Sequence, residues 1–562
     1  MKRRKPKPDT DLPQGLNKGL WFVPLGGAGE IGMNLNLYGC DGDWLMVDLG
    51  VTFGDDTIPG LDVVMPDPSF IAERREHLKG LIVTHAHEDH IGAVAYLWPL
   101  LKCPVYCTPF AAAFLAYKLK ETGLEDEVPV TVIPLGGQAK IGPFTVDFIT
   151  LTHSIPEPNA LAIRSRYGTV FHTGDWKFDP EPLVGEATDM TALRKLGDEN
   201  VLALVGDSTN VFTDGEAGSE REVRDSLQEL FGRYTGRIAV GCFASNVARL
   251  DSIARAARAN GREVALVGAS LWRIAETARR TGYLADDLRF YEASDAAYLP
   301  RDKVLYICTG SQGEGRAALM RIAFDMHPDV HLEEGDVCIF SSRVIPGNEK
   351  AIAKVQNQLA RNNVEIVTTR DHFIHVSGHP AKDELRAMYQ TVRPRVAIPV
   401  HGEAMHMRAH AELAKECQVP HTVLVENGGA VRLAVKPGED GSGAHVAGKV
   451  WAGRYTWEEG QVVPLSAPSL KDRKKMFYEG AAVVTVSLYE DGEIADDPQV
   501  TVLGTSDPRD ARDWDDLLSN AIARLPKKAK RDDDTVEETL RNAVRKAFSP
   551  RKPVVKVHLQ RV

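Results

Sequence analysis

The sequence predicts an α/β protein built from several domains, and three observations support this. At 562 residues the chain is too long for one hydrophobic core, so about three or four domains are expected. From about residue 18 to 81, apolar runs separated by Gly and Asp predict short strands joined by turns. Between about residues 219 and 363, strand-like runs alternate with helical runs, a pattern typical of a parallel α/β layer.

Composition narrows the class of protein. The chain is 43% hydrophobic and 26% charged, which suits a soluble globular protein, and no apolar run approaches the roughly 20 residues of a membrane span. The net charge of -11 argues against a protein that coats nucleic acid nonspecifically, but it allows a nuclease with a confined positive channel. The seven cysteines include no C-x-x-C pair, which favours a reducing compartment and hence the cytoplasm.

The two ends of the chain carry distinct predictions. The start, "MKRRKPKPDTDLPQG", is basic and proline-rich, and it predicts a disordered arm over residues 1–17. The stretch "VKPGEDGSGAHVAGK" is rich in glycine and charge and is interpreted as a loop or linker. After about residue 465, strand-like "AAVVTVSLYEDG", "PQVTVLGT" and "PVVKVHLQ" with helical "TVEETLRNAVRKAF" predict a small α+β domain.

One glycine-rich stretch resembles a dinucleotide-binding motif and is rejected. "GGAGEIG" contains G-x-G-x-x-G from Gly27 to Gly32. That motif requires a following helix, whereas "MNLNLYG" has the pattern of a strand. The stretch therefore predicts a tight turn between strands.

The stretch "THAHEDHIG" carries the strongest chemical signal. Three histidines and two carboxylates fall within residues 85–90, directly after the apolar run "LIV". His85 and His87 point the same way from the end of a strand, while Asp89 and His90 start the helical run that follows. Imidazole and carboxylate ligands suit zinc, with manganese as an alternative, and the lack of cysteine favours a catalytic site. A surface histidine cluster is the alternative interpretation.

Further ligands should lie at other strand ends, because one turn cannot fill two coordination spheres. His153 in "FITLTHSIP", Asp175 in "VFHTGDWKF" and His401 in "VAIPVHGE" each follow an apolar run before a turn. Each alone is more often a structural polar residue, but the shared context favours metal ligands. By contrast, His406 and His410 are spaced i, i+4 on the next helical run and are interpreted as part of a solvated helix face.

These motifs resemble a known family. H-x-H-x-D-H, "HSIP", "TGDWKFD" and "IPVHGE" are similar to the metallo-β-lactamase fold, and the inserted α/β segment resembles its β-CASP nuclease branch. "GGAGEIGMN", "GDSTN", "FASN", "TGSQGE", "SRVIPGNE" and "HVSGH" resemble the ribonuclease J family. The resemblance implies an αββα sandwich over residues 18–216 and 360–440, a parallel β-CASP domain over 217–359, a linker over 441–464 and an α+β domain over 465–562.

The resemblance also implies roles for individual residues. One zinc ion would be held by His85, His87 and His153, the other by Asp89, His90 and His401, with Asp175 bridging the two. Asp48, which closes the strand "WLMVDLG", would orient ligands through a hydrogen bond, although a strand-end turn aspartate explains it equally. His379 would be the general acid, with Asp207 stabilising its protonated form; a purely structural His379 is the alternative.

A pocket for a terminal phosphate is expected where "FASN" and "HVSGH" meet, because hydroxyls and helix N-terminal N–H groups bind anions. The residues assigned to substrate binding are Phe243, Ser245, Asn246, His375, Val376, Ser377, Gly378 and His379. For Ser245 and Asn246, a plain helix N-cap is the alternative.

The resemblance implies a zinc-dependent ribonuclease that degrades single-stranded RNA from a 5′-monophosphate, with added internal cleavage, in RNA turnover and rRNA 5′-end maturation. Two zinc ions per chain are expected, with a homodimer or higher oligomer, RNA-decay partner proteins, no membrane association and a cytoplasmic location. A β-CASP nuclease acting on DNA and a catalytically silent RNA-binding scaffold are the alternatives, and the 2′-hydroxyl contact that would separate RNA from DNA cannot be located in the sequence.

Overall fold

A computed structural model of the chain describes residues 13–54, 58–509 and 511–562, without the side chains of 511 and 512. Residues 1–12 of the predicted basic arm lie outside the described residues. The chain divides into two compact units. The first comprises residues up to 52 together with 65–453, and the second comprises residues 53–64 and 454–562.

The strands are, in chain order, β1 Leu20–Gly26, β2 Ala28–Gly29, β3 Leu35–Cys40, β4 Asp43–Val47, β5 Thr52–Phe53, β6 Val63–Pro66, β7 Leu78–Ile82, β8 Val105–Cys107, β9 Val130–Val132, β10 Gln138–Ile141, β11 Phe144–Thr150, β12 Asn159–Ser165, β13 Gly168–His172, β14 Ala203–Asp207, β15 Ile238–Gly241, β16 Glu263–Val267, β17 Val304–Cys308, β18 Val337–Phe340, β19 Glu365–Val367, β20 Val396–Val400, β21 Gly402–Glu403, β22 His421–Thr422, β23 Gly429–Ala434, β24 His445–Lys449, β25 Arg454–Glu458, β26 Gln461–Pro464, β27 Ala481–Leu488, β28 Ile494–Leu503 and β29 Val554–Arg561.

The α-helices are α1 Ser69–Ala72, α2 Glu88–Ile91, α3 Val94–Leu101, α4 Pro109–Thr122, α5 Met190–Gly197, α6 Glu220–Phe231, α7 Val247–Ala259, α8 Ala269–Arg280, α9 Ala293–Ala296, α10 Ala318–Ala323, α11 Glu349–Arg361, α12 Lys382–Val392, α13 Ala404–Glu416, α14 Pro468–Glu479, α15 Ala511–Ala523, α16 Lys527–Lys530 and α17 Asp533–Ala547. Short 3-10 helices lie at Arg75–His77 and Arg301–Lys303.

Two mixed sheets form the centre of the first unit. One has eight strands in the order β24-β23-β1-β3-β4-β7-β8-β9, and the other has seven in the order β10-β11-β12-β13-β14-β20-β22. Apolar side chains from both sheets share one core, among them Phe22, Leu45, Phe148, Val205 and Ile398. Burying the inner face of each sheet against the other removes both from water, as in a two-sheet sandwich.

Helices cover the outer faces of this sandwich. On the seven-stranded sheet, Leu193 of α5, Leu385 of α12 and Leu413 of α13 pack with Phe171 of β13 in one buried cluster. On the other side, α3 and α4 are in contact, and α4 lies beside β9. The predicted αββα arrangement is confirmed.

The inserted segment forms the predicted parallel layer. Its five strands are ordered β16-β17-β15-β18-β19, and every pair is parallel. The strands are apolar and buried along most of their length because helices pack on both faces of such a sheet. "GGAGEIG" lies between β1 and β3 and spans the two-residue strand β2, and a strand follows it as predicted.

The second unit contains the predicted α+β fold. Strands β28-β27-β29 form a three-stranded sheet whose buried face, including Val484 and Val557, packs on Leu518 of α15 and Leu540 of α17. A second, four-stranded sheet has the order β26-β25-β6-β5. The apolar face that the sequence shows in this region is therefore covered by the unit's own helices.

Two sequence interpretations need correction. The stretch interpreted as a loop ends in β24, which pairs with β23 as an outer strand of the eight-stranded sheet. Residues 454–464, assigned to a linker, form the β25–β26 ladder. Glycine and charged residues do not favour strands, so the sequence pattern of these segments suggests a loop. In the folded chain, backbone hydrogen bonds to neighbouring strands stabilise the strand conformation. Across the described residues, no helix combines the length and apolarity needed to cross a membrane.

Candidate metal centre

The predicted metal-binding residues lie in loops at the carboxyl ends of strands from both sheets. Strands β13, β14 and β20 run parallel to one another, so their ends meet at one edge, and the same holds for β4 and β7. The loops after these strands and β11 supply the site residues, which are Asp48 after β4, His85 and His87 after β7, His153 after β11, Asp175 after β13 and His401 after β20, while Asp89 and His90 lie in α2.

The first group joins His85, His87, His153 and Asp175, whose ligand-type atoms all lie within 4.8 Å of one another. His87 Nδ1 lies 3.1 Å from His85 Nε2 and 3.0 Å from His153 Nε2. Asp175 Oδ2 lies 3.9 Å from His85 Nε2 and 3.8 Å from His153 Nε2. Three imidazoles and one carboxylate thus face a common centre, a donor set that suits zinc.

The second group joins Asp89, His90, His401 and the same Asp175. His90 Nε2 lies 3.2 Å from Asp175 Oδ2 and 3.5 Å from Asp89 Oδ2. His401 Nε2 lies 3.1 Å from Asp89 Oδ2, and its Nδ1 lies 3.2 Å from Asp175 Oδ1. Asp175 is therefore shared, and the two groups lie side by side as a two-cation centre requires.

Hydrogen bonds from residues outside the two groups orient the histidine rings. Asp48 Oδ2 accepts a hydrogen bond from His90 Nδ1 at 2.7 Å, which turns His90 Nε2 towards Asp175. Asp48 is itself held by Thr84, whose backbone N–H and hydroxyl donate to its two carboxylate oxygens at 2.8 and 3.0 Å. Such contacts lock the tautomer of a metal-binding histidine.

A backbone carbonyl, that of Gly378, orients the ring of His153 in the same way. The carbonyl of Gly378 accepts from His153 Nδ1, so His153 Nε2 is left for the centre. A Cβ at Gly378 would lie 2.7 Å from His153 Cε1 and 2.9 Å from Ser154 Oγ, so no larger residue fits without displacing the ring. Asp48 and His401 adopt φ of 64° and 50°, the left-handed region that non-glycine residues rarely occupy outside such sites.

The protonation states also fit a bound cation. Burial holds the pKa of His85 and His153 well below its usual value and lowers that of His87 to about 4, so these rings are neutral and keep a lone pair. Burial acts to lower the pKa of His90 and His401 as well, but the surrounding carboxylates, Asp175 foremost, together outweigh it and raise the pKa of both rings. The carboxylates thus attract positive charge, which divalent cations would supply.

A separate pair lies beside the second group. His379 Nδ1 donates to Asp207 Oδ2 at 2.7 Å and lies 3.9 Å from Asp175 Oδ2. Burial acts to lower the pKa of His379, but the charge and hydrogen bond of Asp207, together with the charge of Asp175, raise it above the usual value. His379 is still 23% exposed at its side chain, so a protonated imidazole there can reach a bound molecule.

The segments "FASN" and "HVSGH" meet through a buried arginine. Arg249, in the first turn of α7, is 1% exposed and pairs with Glu220 through Nη2–Oε1 at 2.9 Å and Nε–Oε2 at 3.0 Å. Its Nη1 donates to the carbonyl of Ile374 at 3.1 Å and lies 3.2 Å from His375 Nδ1. The inserted layer is therefore joined to the loop that carries His379.

The residues assigned to substrate binding differ in exposure and in whether their polar atoms already have hydrogen-bond partners. Asn246 caps α7, since its Oδ1 accepts from Arg249 N at 2.8 Å, and its Nδ2 donates to Glu220 at 3.3 Å. Val376 is buried. Ser377 Oγ accepts from the backbone N–H of His379 at 3.1 Å, which leaves its hydroxyl hydrogen to donate elsewhere. Partly exposed are Phe243, Ser245, His375, Ser377 and Gly378.

Sequence reasoning missed several contributors. Thr84 precedes His85 in the conspicuous motif, and Thr209, two residues after Asp207, places its hydroxyl 3.0 Å from His401 Nδ1. Arg249 gives no signal, because an arginine in a helical run is normally a surface residue. The solvated-face interpretation is wrong for His410, which is 1% exposed and bonded to Ser208 Oγ at 2.9 Å.

Comparison with family profiles assigns most of the chain. The profiles match the metallo-beta-lactamase superfamily over residues 36–241, the ribonuclease J beta-CASP domain over 235–359, the Zn-dependent metallo-hydrolase RNA specificity domain over 363–424 and the ribonuclease J C-terminal domain over 468–562. The predicted fold class is thereby confirmed. A solved protein of unknown function from Enterococcus faecalis has the same fold at a TM-score of 0.50 and 15% identity, covering 73% of this chain and 99% of that one.

Similar proteins extend the likeness to the full length. Ribonuclease J of Sinorhizobium meliloti is 42% identical over 100% of this chain and 100% of its own. Ribonuclease J of Mycolicibacterium smegmatis is 41% identical over 77% of this chain and 78% of its own, and that of Synechocystis is 34% identical over 86% and 75%. With such similarity along the entire sequence, the chain belongs to the ribonuclease J family.

Proposed function

We propose that this protein is a zinc-dependent ribonuclease that degrades RNA from a 5′-monophosphorylated end and retains internal cleavage as a second mode. Its roles would be RNA turnover and maturation of rRNA 5′ ends. The observation that carries the proposal is the pair of His/Asp groups sharing Asp175, with the His379–Asp207 pair at their side. A metal-dependent hydrolase acting on RNA agrees with its family.

The metal roles follow from the two groups. His85, His87 and His153 would hold one zinc ion, and Asp89, His90 and His401 the other, with Asp175 bridging. Manganese is the alternative ion, since imidazole and carboxylate donors accept both. When bound, two such cations lower the pKa of water towards neutrality and screen negative charge on a phosphate.

His379 is proposed as the general acid. A phosphodiester loses its sugar oxygen as an anion, so a proton donor at that oxygen speeds the step. Burial acts against protonation, but the charge and hydrogen bond of Asp207 raise the pKa of His379 above its usual value, which favours the protonated ring that a general acid needs. Asp207 positions the ring through its bond to Nδ1, which leaves Nε2–H to face the leaving oxygen.

The 5′-phosphate pocket is proposed at the junction of "FASN" and "HVSGH". Arg249 joins the two segments, and the partly exposed Ser245 and Ser377 supply hydroxyls there. The amide of Asn246 is already engaged, so its part would be to cap α7 and hold Ser245 in place. A closed pocket of hydroxyls and backbone N–H groups suits one phosphate better than three.

The pocket is tested with Ser245→Ala combined with Ser377→Ala. Hydrogen bonds to a charged group contribute about 1.5 kcal/mol or more, so we expect the preference for 5′-monophosphorylated over 5′-triphosphorylated RNA to fall at least about tenfold. Internal cleavage of a circular RNA, which has no 5′ end, is the control and should continue. Full discrimination in the double variant would place the pocket elsewhere.

Two alternative functions, a DNA nuclease and a silent RNA-binding scaffold, can be tested with hydrolysis and binding assays. Turnover of matched 5′-monophosphorylated RNA and DNA oligomers separates a ribonuclease from a DNA nuclease, and faster DNA turnover would overturn the proposal. A silent scaffold would bind RNA without hydrolysing it. The complete set of ligand-type residues in both groups favours an active enzyme.

We propose a homodimer or higher homo-oligomer built with the second unit, RNA-decay proteins as partners and a cytoplasmic location. The sheet of this unit already packs its apolar face on α15 and α17, so a dimer contact would use other surfaces. Deleting residues 461–562 and measuring mass in solution tests the assembly, and an unchanged oligomer would contradict it.

A further inference from the structure

We propose that helix α14, together with Arg551 and Lys552, forms a second binding surface for single-stranded RNA. This surface, here called the α14 surface, uses no residue of the metal centre. The inference rests on the proposed action on RNA, because it names a further contact for the same substrate. It would hold the body of a long RNA while the end is processed.

Helix α14 presents large apolar side chains to water. Of its twelve described residues, Leu470 is the buried one. Near its end, Met476, Phe477 and Tyr478 are 42%, 60% and 57% exposed. The rings of Phe477 and Tyr478 touch edge to face, with centroids 5.1 Å apart and planes at 83°. Adjacent exposed rings in a defined arrangement are a platform on which bases can stack.

Positive charge accompanies these rings along the helix. Residues 471–475 read "KDRKK", four basic residues and one acidic. Lys471 and Lys474 are exposed and Lys475 is partly exposed. With Tyr478 they are spaced i, i+3, i+4 and i+7, so they share one face of the helix. Arg473 is occupied, because its Nη1 pairs with Glu458 Oε1 at 2.5 Å.

Two more cations lie at the aromatic end of the helix. The backbone N–H of Lys552 donates to Glu479 Oε2 at 2.8 Å, which brings residues 551 and 552 beside the last turn of α14. Arg551 and Lys552 are both exposed. They offset the charge of Glu479, so the basic face continues past the two rings.

Charge complementarity favours RNA over a second protein copy as the occupant. Lysine is depleted from the cores of protein–protein interfaces, whereas surfaces for single-stranded nucleic acid combine basic groups with stacking aromatic rings. The α14 surface has both features in a chain whose net charge is -11. A phosphate backbone can follow the lysines while bases rest on Phe477 and Tyr478.

The test uses the full chain with Phe477→Ala and Tyr478→Ala, in an Asp175→Ala background that prevents cleavage. Fluorescence anisotropy would measure its affinity for a 5′-hydroxyl RNA of roughly 30 nucleotides, several times the site size of such surfaces. We expect about tenfold weaker binding from the loss of stacking. Replacing Lys471, Lys474 and Lys475 by Gln should reduce the slope of log affinity against log salt by about 2, from three lost phosphate contacts.

The matched control is Tyr489→Ala. Tyr489 lies in the same unit and is 51% exposed, but acidic Glu490 and Asp491 follow it, so its removal should leave RNA affinity unchanged. With Asp175 intact, Phe477→Ala/Tyr478→Ala should hydrolyse a short 5′-monophosphorylated oligomer at the native rate.

The outcomes separate this inference from the proposed function. If the native chain hydrolyses no RNA, the proposed function fails, while the binding comparison still decides about α14. Unchanged affinity for the long RNA in both the aromatic and the lysine variants would overturn the α14 surface. A changed mass in solution with unchanged salt dependence would overturn it in favour of a contact between two copies.

Discussion

Two histidine-bearing segments of the first unit differ in what their histidines do. In the loop after β7, His85 and His87 lie with their ring nitrogens 3.1 Å apart beside Asp175. In helix α13, His410 is buried between Ser208 Oγ at 2.9 Å and Tyr389 Oη at 2.8 Å, while His406 packs against Phe212. The first pair faces carboxylates, and the second faces hydroxyls and a ring.

The difference shows that spacing alone does not decide the role of a histidine. Both pairs have spacings that suit metal binding, i, i+2 at a strand end and i, i+4 on a helix. His410 faces no carboxylate of the metal groups directly, and burial lowers its pKa to about 4, so it is a neutral hydrogen-bonding residue. A metal site needs carboxylate or imidazole donors that converge on one point, and the β7 loop brings its histidines to Asp175 in that way, whereas His410 is bonded to two hydroxyls.

The largest effect is expected from the metal-facing segment. His87→Ala removes a donor from the first group, and Asp175→Ala removes one from both groups. Hydrolysis should therefore fall to background in each variant while the fold is kept. Native protein should contain about two zinc ions per chain, and each variant fewer, by elemental analysis. Circular dichroism controls for folding. Active native protein without bound metal and insensitive to chelators would contradict the assignment.

Asp207→Asn should have the next largest effect. It removes the charge that raises the pKa of His379, so that pKa falls and less of the ring is protonated at neutral pH. A general acid contributes roughly 10²–10⁴-fold, so we expect kcat to drop by about 10²-fold. The alkaline limb of the kcat–pH profile should also shift to lower pH. A limb that stays in place would show that His379 is not the acid.

In helix α13, His410→Ala should reduce stability more than catalysis. It leaves the buried hydroxyls of Ser208 and Tyr389 without their partner, at a cost of roughly 1–3 kcal/mol each. Because the folded pKa of His410 is about 4 against 6.5 when unfolded, the native chain loses stability as pH falls from 6.5 towards 4, and the variant should lose less. Urea unfolding at several pH values measures the loss of stability and its pH dependence.

His406→Ala is the control. His406 is partly exposed, so this change should lower the free energy of unfolding less than His410→Ala does. Equal losses in the two variants would contradict the structural role of His410.

Tyr389→Phe should have the smallest effect. It keeps the ring in its buried cluster and removes the hydroxyl that reaches His410 Nε2. We expect a loss of about 1 kcal/mol in the free energy of unfolding, with zinc content and kcat unchanged. A loss of zinc in this variant would show that the buried chain reaches the metal centre and would remove the distinction between the two segments.

The fold was largely predictable because its signals are local. Apolar runs ending in glycine or aspartate marked β1, β3 and β4, and strand–helix alternation marked the parallel layer between β15 and β19. Strand β24 was not predictable, because its glycine and exposed side chains suit a loop, and pairing with β23 makes it a strand. Strand β24 is stabilised by backbone hydrogen bonds to β23, and a local sequence pattern does not show that this partner is available.

The sequence by itself determined that five of the seven candidate ligands follow a strand and that Asp89 and His90 begin the helix after one of these strands. Such positions bring donors to a shared edge of the sheets. Only the tertiary structure decided which of them face one another. It paired Asp48 with His90, set Gly378 against His153, joined "FASN" to "HVSGH" through Arg249, and buried His410. These contacts link residues far apart in the chain, and burial, which sets the charge and direction of each ring, comes from packing that a linear pattern does not contain.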